Sequence, residues 1–74
     1  MFSFEKELDT AETLADCCNA YQNELIRIQK IRGLAAALAE RPLLQSKAAN
    51  MYIRLFPEVM YEYETVEDVM QLIY

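Results

Sequence analysis

A chain of 74 residues holds one domain at most, and a core of that size seldom contributes more than about 3–5 kcal/mol without a disulfide, a metal or a partner subunit. Its 54% hydrophobic content excludes a disordered acidic tail, and no run of about 18 uncharged apolar residues is present to span a bilayer. A net charge of −5 makes the chain as a whole a poor electrostatic footprint for nucleic acid.

The charge is distributed in blocks. Residues 1–24 carry six acids against Lys6, and residues 25–54 carry Arg27, Lys30, Arg32, Arg41, Lys47 and Arg54 against Glu40. Residues 55–74 carry Glu58, Glu62, Glu64, Glu67 and Asp68 with no base. Alternating blocks suit a chain that folds its acidic arms back onto a basic middle. They suit equally well two antiparallel copies that set unlike blocks side by side.

In chain order, the segment from Met1 to Asp9 is acidic and lacks an apolar run of signal-peptide length. Cys17 and Cys18 are adjacent, where a bridge would be strained and would close almost no loop. Two free thiols fit a reducing compartment, so a soluble cytoplasmic protein is expected.

The dominant feature runs from Ala11 to Arg41, without proline and with Gly33 as its only glycine. Leu14, Cys18, Tyr21, Leu25 and Ile28 alternate steps of four and three, the stripe of an amphipathic helix, and are expected to build a core or a dimer seam. Asp9 or Thr10 serves as the N-cap; if it is Thr10, Thr13 occupies the acid position of a capping box and leaves that motif half complete. Pro42 is read as the stop. A straight helix over 11–41 is about 45 Å long, whereas a compact globule of this size has a radius of gyration near 11 Å. The molecule is therefore elongated, bent near Gly33, or paired with another chain.

A second helix is predicted from Leu43 to Phe56, stopped by Pro57, with Leu44, Ala48, Met51 and Leu55 as its stripe. Ala48 and Ala49 are small enough for a neighbouring helix to approach closely. From Pro57 onward, Val59, Tyr63, Val66, Met70 and Ile73 give a third helical stripe. The alternative is a small α+β fold with a strand near 58–65, pairing with Met1–Glu5 and followed by a short helix opened by Thr65 and Asp68. The helical reading needs no strand partner and is preferred. The expected fold is all-α: a long helix over 11–41 with two shorter helices packed back along it, a coiled-coil hairpin or three-helix unit spanning 1–74, dimeric through the leftover apolar seam.

Chemistry is sparse. There is no histidine, so the commonest general base and neutral metal ligand are absent. Two cysteines fall short of a four-ligand zinc site in one chain, although a site shared across a dimer has enough thiols. The paired carboxylates Glu62 with Glu64 and Glu67 with Asp68 would need a buried cleft to split their pKa values. No enzyme activity, cofactor or metal is expected.

Four of the five tyrosines, Tyr52, Tyr61, Tyr63 and Tyr74, fall in the C-terminal third. Tyr21 and Tyr63 lie on the stripes and read as core rings, while Tyr61 and Tyr74 read as exposed anchors, a common role of tyrosine at interfaces. Glu58, Tyr61, Glu62, Glu64, Glu67, Asp68 and Tyr74 are accordingly the expected partner-binding face. The function expected is that of a stoichiometric inhibitor or adaptor, of the kind small acidic proteins of phages and mobile elements supply, masking a nucleic-acid-handling protein partner. The alternatives are an acidic nucleic-acid mimic and, with less support, a helical DNA- or RNA-binding regulator using the basic 25–54 segment.

Overall fold

The computed structural model of the chain describes residues 3–74, and over these it contains helices and no strand. Helix α1 (Phe4–Asp9) was not anticipated. Ser3 caps it by accepting from the Lys6 amide at 3.2 Å, and Thr10 closes it, its hydroxyl donating to the Lys6 and Glu7 carbonyls, each at 3.1 Å. Phe4 and Leu8, one turn apart, are both buried and anchor this turn-and-a-half to the core. Of the candidate strand Met1–Glu5, the first two residues lie outside the described chain, and Phe4 and Glu5 begin α1.

Helix α2 (Leu14–Arg32) starts later than expected, because Thr13 rather than Thr10 is its N-cap. The Asp16 amide donates to Thr13 Oγ1 at 3.1 Å and the Thr13 amide to Asp16 Oδ2 at 3.2 Å, a complete capping box built with aspartate. Asp16 Oδ2 also accepts from the Glu12 amide at 2.9 Å.

The expected continuous helix over 11–41 is divided at Gly33. Its backbone (φ 96°, ψ 168°) lies in a region open essentially to glycine alone, and it reverses the chain in a single residue. Helix α3 (Leu34–Leu55) then folds back on α2, the most extensive packing in the molecule. A straight run over 14–55 would reach roughly 60 Å, whereas the longest dimension is 38 Å.

Pro42 does not stop a helix. It sits inside α3, on the exposed side, where water can hydrate the carbonyl left without its donor. The hairpin turn is thus nine residues earlier than the proline suggested, and the segment 43–56 continues α3. Pro57 does act as a stop. α3 ends at Leu55, and Pro57 opens a short 3-10 helix (Pro57–Tyr61). Thr65 then caps α4 (Val66–Met70), accepting from the Asp68 amide at 3.3 Å.

One core joins these elements. Phe4, Leu8, Ala11, Cys17, Ala20, Tyr21, Leu44, Ala48, Ala49, Val59, Val69 and Ile73 are buried in it, and no polar side chain is buried unsatisfied among the described residues. Ala48 and Ala49 are completely enclosed, which lets α3 approach its neighbours closely. The result is a flat slab of 38 × 24 × 14 Å with a radius of gyration of 12.2 Å.

Candidate interaction surface

The stripe expected to build a core or seam faces inward. Tyr21 is buried, and Leu14, Cys18, Leu25 and Ile28 are half-buried against the core. Of the two cysteines, Cys17 is the more deeply placed and is completely enclosed. Burial, with smaller effects from Cys18 and Asp16, pushes its thiol up to about 11, far from a reactive thiolate. The Cys18 thiol instead donates to the Leu72 carbonyl at 3.4 Å. Among the described residues, no group of three or more Cys, Asp or Glu is arranged to hold a metal. No described helix is long and apolar enough to cross a membrane.

Three of the six bases in the middle block, Arg27, Arg32 and Lys47, are ion-paired among the described residues. Arg27 pairs with Glu7 at 2.9 Å and Glu24 at 3.4 Å, and the Glu7 hydrogen bond raises its pKa further. Lys47 lies 3.8 Å from Glu5, and Arg32 lies 3.8 Å from Glu40. Arg41 donates through Nε to the Tyr21 hydroxyl. The N-terminal acidic arm therefore meets the basic block, which is half of the folded-back charge reading. A depression of about 280 Å³ between α1 and α2 is lined by Glu7, Asp16, Asn19 and Asn23. Asp16 is committed there to the helix cap, which lowers its pKa through the Glu12 amide above all, and Glu7 is committed to Arg27. Both carboxylates that line this depression are therefore already engaged.

The C-terminal acidic block behaves differently. None of the carboxylates of Glu58, Glu62, Glu64, Glu67 and Asp68 is ion-paired among the described residues. The seven candidate residues separate into two groups. Glu58, Tyr61, Glu62 and Glu64 belong to the 3-10 helix and the bend after it, where the Glu62 and Tyr63 amides donate to the Val59 carbonyl at 3.0 and 3.2 Å. Tyr61 is 92% exposed, while Val59 beneath is buried and Tyr63 is half-buried. Glu67, Asp68 and Tyr74 belong to α4 and the tail after it. Spacing of four and three puts Glu67, Gln71 and Tyr74 outward, opposite buried Val69 and Ile73.

A second surface escaped the sequence reading. Ile26, Ile31, Leu34, Leu38 and Leu43 are all at least half exposed, and they cluster toward the Gly33 end of the hairpin. Apolar residues on a presumed rod are indistinguishable from core until the reversal is known. The available signal was Leu38, which directly follows Ala37 and so lies off the stripe of Ala37, Leu44 and Ala48. Comparison with family models, with curated proteins and with solved structures finds no match to this chain.

Proposed function

We propose that the chain is a non-catalytic protein-binding module, acting stoichiometrically as an inhibitor or adaptor through the face made by Glu58, Tyr61, Glu62 and Glu64. One observation carries this reading: the Tyr61 ring is almost wholly in solvent on a turn that buried Val59 and half-buried Met60 and Tyr63 anchor to the core. An aromatic ring held out on a supported turn offers a large contact area at low entropic cost, the usual character of a binding hot spot. Free carboxylates around it give the partner a positively charged counterpart.

A second reading keeps the same face but gives the leading role to the acids, as an imitation of a nucleic-acid backbone. It is favoured by the absence of ion pairs at Glu58, Glu62 and Glu64 among the described residues. Salt dependence separates the two, because mimicry weakens steeply as ionic strength rises and ring burial does not. The test is capture from host lysate with the intact chain, Tyr61→Ala, and the double variant Glu62→Lys with Glu64→Lys. Loss on Tyr61→Ala supports the ring, and loss on charge reversal with strong salt sensitivity supports the mimic. A captured partner that survives both sets of changes overturns the assignment of this face.

A further inference from the structure

The C-terminal tail ends part-way along one face of the hairpin, and it is gripped there by side chains from both long helices. Cys18 Sγ donates to the Leu72 carbonyl, Gln45 Nε2 to the Ile73 carbonyl at 3.1 Å, and Gln22 Nε2 to the Tyr74 carbonyl at 2.6 Å. Toward the Gly33 end the same face continues uncovered. Ile26 lies one turn beyond Gln22 on α2, and Leu38 and Leu34 lie two and three turns beyond Gln45 on α3. Their exposures are 50%, 55% and 57%. The face is therefore stepped: raised where α4 and the tail cover it, recessed where they stop, with Ile26, Leu34 and Leu38 exposed beside Gln29 and Arg41.

We infer that this recess is an interface between two copies of the chain. In a two-fold arrangement, the hairpins lie face to face and antiparallel, and each copy's raised α4 and tail fill the other's recess. Continuity is the first argument. The occupant is the kind of segment that already covers the adjoining half of the same groove, and an isologous contact requires one surface that carries both the step and its complement.

Charge is the second argument. Lys30, unpaired among the described residues, follows Ile26 by one turn at the edge of the recess near the hairpin tip, whereas the outward side of the covering segment carries Glu67. With Tyr74 nearest the two-fold axis, Glu67 falls farther out toward the partner's hairpin tip, on the side of its Lys30. A parallel arrangement would instead set basic tip on basic tip.

Area is the third. A recess two helices wide and two turns long, counted on both surfaces of both copies, gives roughly 1,000 Å², the lower bound for a specific interface. A reversible, concentration-dependent dimer is the form such an area supports. The inference is independent of the Tyr61 face, which lies outside the recess.

Sedimentation velocity across a concentration series up to about 1 mM tests it. The expected result is a monomer–dimer equilibrium, weakened more than tenfold by Leu38→Glu at unchanged helical content, and unaffected by Tyr61→Ala. Lys30→Glu and Glu67→Lys should each weaken the dimer, and the two together should restore it. A chain that stays monomeric throughout, or that grows into larger species without a dimer plateau, overturns the inference. So does a dimer indifferent to Leu38→Glu, and failure of the charge swap to restore association overturns the antiparallel pairing.

Discussion

Arg41 donates through Nε to the hydroxyl of Tyr21 at 2.9 Å, joining the two arms of the hairpin twenty residues apart in sequence. The Tyr21 ring is buried in the core, and its oxygen reaches the edge, where the guanidinium remains hydrated. The bond fixes how far α3 has slid along α2, because a shift of one turn carries Arg41 out of reach. Tyr21→Phe keeps the ring packing and removes only the hydrogen bond. It is expected to lower unfolding free energy by about 0.5–1.5 kcal/mol, measured by urea denaturation with an unchanged m-value. A loss several times larger would show that the ring itself has been displaced.

Gly33 is the point on which the fold reverses. A Cβ there would touch nothing within 4 Å, so any penalty for Gly33→Ala is a penalty of backbone conformation alone. The expected loss is about 1–3 kcal/mol. Alanine favours continuing the helix, and straightening this residue would carry α3 away from its own α2 and onto another copy's. The variant is therefore expected to form an exchanged dimer at high concentration, visible by light scattering. A variant as stable as the parent and unchanged in size would show that the reversal does not depend on glycine.

The helical stripes were legible because burial imposes a period: Tyr21 with Leu14, Cys18, Leu25 and Ile28 on α2, and Leu44 with Ala48 on α3. The reversal was legible only as one option, a bend near Gly33, because a lone glycine inside a helical pattern costs only about 1 kcal/mol, whereas an internal proline costs about 3 kcal/mol, and Pro42 therefore looked like the stronger stop. What sequence alone cannot weigh is that Pro42 faces water while Gly33 adopts a positive φ. α1 was missed because six residues are too short for periodicity, although Ser3 with the Phe4–Leu8 pair marks it. Exposure of Tyr61 and Tyr74 follows from their positions off the stripes. The recess could emerge only after the hairpin had closed and the tail had stopped short of its tip.

The Thr13–Asp16 box makes the start of α2 sensitive to acid. The carboxylate accepts from the Glu12 and Thr13 amides, and these bonds hold its pKa below the ordinary value of 3.8. A depressed folded-state pKa gives a contribution that is complete above pH 3.8 and lost as pH falls through the lower folded value. Asp16→Asn should accordingly be less stable than the parent at neutral pH, the gap closing as the solution is acidified below pH 3.8. Thr13→Ala removes the other half of the box and should cost about 1 kcal/mol at neutral pH. Thermal unfolding of both variants from pH 2 to 7 checks this; a gap for Asp16→Asn that is constant with pH would show that the carboxylate charge plays no part.

Cys17 and Cys18 are neighbours in sequence and opposites in chemistry. Cys17 is enclosed, and its thiol is raised to about 11, whereas Cys18 is only half-buried at the groove under the tail. Alkylation of the native chain at pH 8 is expected to modify Cys18 first, with Cys17 reacting only as fast as the chain unfolds. A raised folded-state pKa stabilises below the unfolded value of 9.0, and that contribution is lost as pH rises from 9.0 toward about 11. The parent should therefore lose stability across that window, and Cys17→Ala, which lacks the thiol, should show a shallower fall. Mass spectrometry of partly alkylated protein and denaturant midpoints at pH 7, 9 and 10.5 read the two effects separately. Rapid native labelling of Cys17 at pH 8 would contradict the packing of α2 in the core, because that packing is what keeps water and reagent from the sulfur.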